Sequence, residues 1–122
     1  VAVEREVDGP RTWFVRMQGE EKDVFTVRFK LDQRTLTYET HFMPAPEENQ
    51  QQLYEHLLRR NAKLYGASFV VGDEDAVYIR GQLDNAMIPA PEELDRVLGS
   101  MYVWVEQFFR PALRIGFASR FS

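Results

Sequence analysis

The segment DVFTVRFKLDQRTLTYETHFM, residues 23–43, decides the fold class. Apolar residues alternate with polar ones over residues 25–31, and the same alternation returns over residues 36–42. A period of two residues indicates a strand that is buried on one face only. The residues between the two halves, 32–34, fit a tight hairpin connection. The segment therefore predicts two antiparallel strands that turn one face toward a core.

Three further segments carry strand signals. Residues 13–17, WFVRM, are rich in aromatic and branched side chains and lie between glycine and proline residues, which is typical of a strand. Residues 67–71 and 76–83 predict a second hairpin, with the acidic segment 72–75 as its turn. The sequence thus predicts three strands before the first helix and two after it.

Two copies of Pro-Ala-Pro-Glu-Glu, at residues 44–48 and 89–93, mark the starts of two helices. Proline fits the first helical turn, and the carboxylates suit the positive end of the helix dipole. The first helix should begin near Pro46 and stop at Gly66. The second should end before Pro111, because proline disrupts an established helix. The repeat indicates either a duplication or convergent capping, and we favour convergence because the flanking residues do not match.

The predicted order of elements is β-β-β-α-β-β-α. Strands and helices clustered in this order are typical of an α+β fold, with an antiparallel sheet and helices packed on it, and not of a parallel βαβ array. The chain of 122 residues has the length of one ordinary domain. We therefore predict that residues 1–122 form a single α+β domain.

The composition argues against several classes of function. The formal net charge is −4, whereas nucleic-acid-binding domains usually carry a basic excess. The chain has no cysteine, so it has no disulfide, thiolate nucleophile or Cys-based metal site. No apolar run approaches the roughly 20 residues of a transmembrane helix, and residues 1–10 lack the pattern of a signal peptide. We expect a cytoplasmic protein that binds neither nucleic acid nor membrane.

No segment carries the signature of a metal or cofactor site. His41 and His56 are the only histidines, and neither has a second imidazole at metal-ligand spacing. The acidic turn at 73–75 lacks the other ligands of a calcium loop, and there is no glycine-rich phosphate loop or nucleophile elbow. We expect no metal, no cofactor and solvent-facing positions for both histidines.

Two sets of polar residues remain as candidate sites. Glu39 and His41 share one face of a predicted strand and could pair an orienting acid with a base. Asn61 falls within the apolar stripe of the first helix, where it either ties the helix to neighbouring backbone or contacts a ligand. Arg59 and Arg60 beside it either bind a carboxylate or phosphate, or form a solvated, salt-bridged helix face.

The second predicted helix is apolar around more than half of its circumference, which is more than a helix on one sheet has to bury. The C-terminal tail or a partner must cover the excess, and we favour self-association. The predicted interface, for a homodimer or a client protein, consists of Tyr102, Trp104, Phe108 and Phe109.

Several motifs resemble the YbjN family of bacterial sensory transduction regulators. They are WFVR at 13–16, FMPAPEEN at 42–49, LLRRN at 57–61, LYG at 64–66 and RIGF at 114–117. The resemblance implies a fold similar to type III secretion chaperones, which are α+β proteins that dimerise through their helices and bind client proteins. It implies no catalytic residue. Family members typically carry a helix ahead of the first strand, whereas here only residues 1–11 precede Trp13, so either that helix is lost or the segment is a short extended lead.

These features favour a non-enzymatic regulatory or chaperone-like domain that forms a homodimer and binds another protein through its sheet face or helix grooves. One alternative is a sensor of a small anionic ligand, bound by Arg59, Arg60 and Asn61. The other is an enzyme that uses Glu39 and His41, which would need both side chains beside a water-excluding pocket.

Overall fold

The computed structural model describes residues 12–84 and 91–121 in full and residues 2–5 as backbone. The elements in chain order are β1 (Ala2–Arg5), β2 (Thr12–Gln18), β3 (Val24–Leu31), β4 (Thr35–Met43), α1 (Gln50–Arg60), β5 (Ala67–Val71), β6 (Val77–Asp84) and α2 (Pro91–Gly116). The strands form one six-stranded antiparallel sheet in the order β1-β2-β3-β4-β6-β5. The α+β class is confirmed, and β1 is an additional strand that the sequence analysis did not predict.

Burial alternates along the strands, so the sheet has one covered face and one open face. The covered face contributes Val15, Met17, Phe25, Val27, Phe29, Leu36, Tyr38, Phe42, Phe69, Val77 and Ile79 to the core. Both helices join the same cluster, α1 through Leu53 and Leu57 and α2 through Met101 and Val105. No helix in the described ranges packs on the opposite face.

The two helices run antiparallel across the covered face. Near the start of α1, the Asn49 side-chain amide donates to the carbonyl of Ile115 near the end of α2, at 2.9 Å. Beyond the end of α1, the Tyr65 ring packs edge-on against Trp104, with 5.3 Å between the ring centroids. Among the described helices, including the 26-residue α2, none has the length and apolar composition needed to cross a membrane.

The first Pro-Ala-Pro-Glu-Glu segment does not begin a helix, so the predicted start of α1 near Pro46 is wrong. The amides of Glu47 and Glu48 donate to the carbonyl of Gly116, at 2.9 and 3.1 Å, and Asn49 adopts a left-handed conformation with a φ of 57°. Residues 47–48 therefore complete the C-terminal end of α2. The second copy does begin α2 at Pro91, while residues 88–90 lie outside the described ranges.

The second helix continues through Pro111, so its predicted end before this residue is also wrong. Proline removes the amide that would bond to the carbonyl of Gln107. Gln107 lies on the exposed side of the helix, where water can satisfy that carbonyl. Beyond the proline, Ala112 and Gly116 are buried, so packing against the core stabilises the last turns.

Candidate functional site

A row that begins with an aromatic side chain and continues with charged and polar ones crosses the open face of the sheet. Phe14, Arg28, Glu39, Arg80 and Ser68 lie opposite one another on β2, β3, β4, β6 and β5. Neighbouring strands are about 4.8 Å apart, so this central row extends for about 19 Å. The pairing of β4 with β6 places Glu39 between two arginines.

Apolar side chains lie among these charges. Phe14, Val70 and Tyr78 are half-buried on the open face, and Tyr78 is paired with Val70 on one side and with His41 on the other. The His41 and Tyr78 rings meet edge-on, with their centroids 5.4 Å apart. The open face thus offers both apolar contact area and hydrogen-bonding groups.

The open face is basic although the chain is acidic. Over β2 to β6, its charged residues are Arg16, Arg28, Lys30 and Arg80 against Glu39 and Asp84, a net charge of +2. The whole chain, in contrast, has a formal net charge of −4. The open face of these strands therefore differs in the sign of its charge from the chain as a whole.

The guanidinium group of Arg80 has hydrogen-bond donors that no described residue occupies, so they are free to bind a ligand. Arg28 Nη2 lies 3.0 Å from Glu39 Oε1, whereas Arg80 has no hydrogen-bond or ion-pair partner within the described part of the chain. With Ser68 and Gln82, Arg80 lines a shallow hollow of about 380 Å³ between β5 and β6. Guanidinium, hydroxyl and amide groups can all donate hydrogen bonds, which suits the hollow to a carboxylate.

Glu39 and His41 lie on the open face, as predicted, but they lack the water-excluding pocket that the enzyme hypothesis requires. Glu39 is held by Arg28, and His41 is exposed. Partial burial of its ring against neighbouring side chains lowers the pKa of His41, and the nearby charge of Lys22 lowers it further. Because His41 faces solvent, the two side chains do not share a water-excluding pocket.

The second histidine departs from the prediction. His56 is half-buried on α1 instead of facing solvent, and its Nε2 is enclosed without a hydrogen-bond partner among residues 12–84 and 91–121. Burial lowers the pKa of His56, and the charge of Arg60 lowers it further. The neutral form of the imidazole is therefore favoured at this position.

Asn61 ties the first helix to the edge of the sheet, which confirms one of its two predicted roles. Its Oδ1 accepts from the Phe69 amide at 2.7 Å, and its Nδ2 donates to the Phe69 carbonyl at 3.4 Å. The Asn61 side chain thus makes the two backbone hydrogen bonds that a neighbouring strand would otherwise make with Phe69 at the edge of the sheet. The α-helix ends at Arg60 and continues as a 3₁₀ turn over Asn61–Lys63, so it stops before Gly66, where its end was predicted.

Replacing Asn61 by alanine should lower the free energy of unfolding by about 1 to 3 kcal/mol, because it leaves backbone groups of Phe69 without partners. Hydrogen exchange at the Phe69 amide should become faster. Asn61→Asp keeps the acceptor oxygen and should preserve much of that protection. Unchanged exchange in Asn61→Ala, measured by NMR, would contradict this role.

The three residues predicted to bind an anion do not share a surface. Arg59 forms an exposed ion pair with Glu55, with Nη2 and Oε1 2.8 Å apart, on a groove of about 680 Å³ that Tyr54 also lines. Residues two apart on a helix point to nearly opposite sides, and Asn61 is bonded to backbone. Anion binding by Arg59, Arg60 and Asn61 stays a prediction.

The aromatic residues of α2 are covered mostly by the chain itself. The four predicted interface residues divide into buried Trp104 and Phe108, 7% and 5% exposed, and half-buried Tyr102 and Phe109. The Tyr65 ring covers Trp104, and the C-terminal tail instead bonds to Glu47 and Glu48. The excess apolar surface that favoured self-association is therefore small, and a homodimer interface on α2 stays a prediction.

Charged groups hold the β2–β3 loop against α2. The Glu106 carboxylate accepts from the amides of Glu20 and Glu21, at 2.5 and 2.7 Å. Arg110 on the same helix pairs with the Glu21 side chain, with Nε and Oε2 2.6 Å apart. A carboxylate that satisfies two loop amides fixes the loop conformation.

Lys22 fastens the same loop to β4. Its ammonium donates to the carbonyls of His41 and Phe42, at 2.7 and 2.8 Å, where β4 has one more residue than β6 between His41 and Met43. The ammonium nitrogen also lies 5.2 Å from the centre of the Phe109 ring. Lys22 thus satisfies two carbonyls at a bulge in β4. Sequence patterns do not indicate this role of Lys22.

Burial lowers the pKa of Lys22 from 10.5 to about 8. The unfolded chain retains this proton up to its higher pKa, whereas the folded chain loses it first, so a rise in pH favours folding. The contribution of Lys22 to the free energy of unfolding should therefore rise from pH 8 to 10. Urea titrations across this range measure it, and Lys22→Met should remove the increase. An equal slope in both proteins would contradict the assignment.

A sheet covered on one face by two antiparallel helices, with a basic open face, defines a two-layer α+β domain. The chain belongs to the YbjN family, whose family model, described as "Putative bacterial sensory transduction regulator", matches residues 1–114. This family assignment confirms the resemblance seen in the sequence motifs.

The chain is similar to several proteins of mycobacteria. It is 31% identical over 110 residues to uncharacterized proteins of Mycobacterium bovis and Mycobacterium tuberculosis, with 90% of this chain and 60% of each relative covered. An uncharacterized protein of Mycobacterium leprae is 29% identical over 112 residues, with 92% and 60% covered. The chain thus spans about 60% of the length of the curated relatives it matches.

Proposed function

We propose that this chain is a non-enzymatic regulatory domain that acts by binding another protein on the open face of its sheet. The observation that carries the proposal is the absence of any helix on this face within the described ranges, although Phe14, Val70 and Tyr78 lie there half-buried. Aromatic residues and arginine are enriched at the centres of protein interfaces. The composition of the open face fits such a role.

The other surfaces of the described chain are less suited to a partner. The aromatic side chains of α2 are largely buried, and the Phe69 backbone on the β5 edge is already bonded to Asn61. Addition of a partner strand at β5 would have to displace this side chain. We therefore place the partner on the open sheet face, which also agrees with a chaperone-like mode of client binding.

The area of the open face sets the size of the bound element. Six strands at about 4.8 Å and seven residues at about 3.4 Å give a face of roughly 24 by 24 Å, or about 580 Å² in projection. A standard interface buries about 800 Å² on each partner. The face therefore suits a segment of the partner better than the side of a whole domain.

Copurification with matched variants tests this proposal. Thr37→Trp adds a bulky side chain at the centre of the open face, and Val103→Trp adds the same side chain on α2, where Val103 is 54% exposed. A protein that copurifies from native cells with the wild type should be lost from the Thr37 variant and retained by the Val103 variant. Retention by both, or loss from Val103→Trp alone, would contradict docking on the sheet.

Self-association through α2 is a separate proposal. Exposed Val103 and half-buried Tyr102 and Phe109 are among the apolar side chains that the helix offers to a second copy. Light scattering over a concentration series measures the solution mass. A dimer that Val103→Asp converts to a monomer would support the proposal, and a monomer at every concentration would contradict it.

A further inference from the structure

We infer that the open sheet face recognises an acidic segment of its partner, whose carboxylates meet Arg80 in its hollow and Arg28 across the sheet. This inference rests on the proposed function and specifies the chemistry of the bound segment. Its basis is the arrangement of charge and hydrogen-bond donors on the open face.

Charge selects among the possible occupants of the face. The open face of β2 to β6 carries +2, so two copies packed through these strands face to face would repel each other. A nucleic acid would meet a chain of net charge −4, which disfavours phosphate backbones. A protein segment with a few carboxylates avoids the repulsion in both cases. Its negative charges lie only where they meet the basic face, and not along the acidic rest of the chain.

The hollow at Arg80 provides the main contact for one carboxylate. Arg80 is exposed and has no partner in the described part of the chain, and the hydroxyl of Ser68 and the amide of Gln82 line the same hollow. A guanidinium can bind a carboxylate through two parallel hydrogen bonds. These groups surround an incoming carboxylate with donors from two adjacent strands.

Arg28 provides a second contact at a defined spacing. It lies two strands from Arg80 in the central row, with Glu39 between them, which corresponds to about 10 Å. Three residues of a segment in the polyproline II conformation cover about 9 Å, and its three residues per turn place positions i and i+3 on the same side. A segment crossing the strands with acidic residues at positions i and i+3 would therefore reach both guanidinium groups, while its other residues contact Phe14 and Tyr78.

Fluorescence anisotropy with a labelled peptide tests this inference. The probe is a 12-residue peptide with glutamate at every third position and valine or threonine between. The control peptide has glutamine in place of each glutamate. We expect the glutamate peptide to bind at least tenfold more tightly than the control peptide. Arg80→Gln should raise the dissociation constant at least tenfold, and Arg80→Lys, which keeps the charge, should raise it less.

The matched control is Arg114→Gln, since Arg114 is an exposed arginine on α2 without a partner in the described part of the chain. This substitution should change the dissociation constant less than twofold.

Three results would each overturn the inference. They are equal binding of both peptides, an effect of Arg114→Gln equal to that of Arg80→Gln, and tighter binding of a 12-nucleotide oligothymidylate than of the glutamate peptide. Absence of peptide binding, while Thr37→Trp still abolishes copurification of a partner, would overturn the acidic chemistry alone. If the peptide does not bind and Thr37→Trp also leaves copurification of the partner unchanged, the proposed function would be overturned as well.

Discussion

Replacing Trp104 by alanine should lower the free energy of unfolding by about 3 to 5 kcal/mol, a large part of the roughly 5 to 15 kcal/mol that stabilises a typical domain. Trp104 is buried, with 7% of its surface exposed, and the Tyr65 ring packs against it. The substitution leaves a cavity between α2 and the segment after α1, which neighbouring side chains fill only in part.

Val103→Ala provides the control for Trp104, because Val103 is the preceding residue and is 54% exposed. This surface change should alter the free energy of unfolding by no more than about 0.5 kcal/mol. Urea denaturation followed by circular dichroism measures both variants. A Trp104→Ala protein with the wild-type transition midpoint would show that Trp104 does not support the core.

Replacing Gly81 by alanine should also destabilise the protein strongly. Gly81 lies opposite Tyr38 in the sheet, and a Cβ atom there would lie 2.1 Å from the carbonyl oxygen of Gly66 and 2.6 Å from the Tyr38 hydroxyl. That hydroxyl donates to the same Gly66 carbonyl at 2.7 Å. Overpacking should cost about 1 to 3 kcal/mol, and loss of the hydrogen bond about 1 kcal/mol more.

Gly99→Ala is the matched control for Gly81→Ala. A Cβ atom at Gly99 would have no neighbour within 4 Å, and alanine is favoured over glycine within a helix by about 1 kcal/mol. The same substitution should therefore stabilise the protein at position 99 and destabilise it at position 81. Thermal unfolding of the two variants compares them, and shifts of the same sign would contradict the packing described for Gly81.

The sheet could be predicted where a strand has one buried face. Residues 25–31 and 36–42 alternate in the sequence and in the structure, because the core selects every second side chain. The strand β1 spans only Ala2–Arg5 and forms at the sheet edge by pairing with β2. Four residues are too few for a periodic signal, so its presence depended on a neighbour that local sequence does not specify.

Helix ends were harder to predict, because distant residues determine them. The two copies of Pro-Ala-Pro-Glu-Glu have the same local preferences, yet only the second begins a helix. At the first copy, the carbonyl of Gly116 accepts two amides from residues 47–48. Likewise, α2 passes through Pro111 because residues beyond it are buried. Contacts between residues far apart in the chain overrode the local signals.

The candidate site was predicted in part. Alternation places Glu39 and His41 on the polar face of β4, and it could equally have placed Arg28 and Arg80 on the polar faces of their strands. However, the central row exists because β4 pairs with β6, which follows it only after a helix and another strand. A basic patch built from three strands cannot be recognised until the order of those strands is known.

Photo-crosslinking from the open face tests the central claim most directly. Gln82 is exposed on β6 and Gln107 is exposed on α2, so a benzoylphenylalanine introduced at either position samples one side of the molecule with the same chemistry. The account predicts that, in native cells, position 82 crosslinks to a partner protein and position 107 does not. Crosslinking from position 107 alone would contradict it, because the partner would then bind the helices and not the sheet.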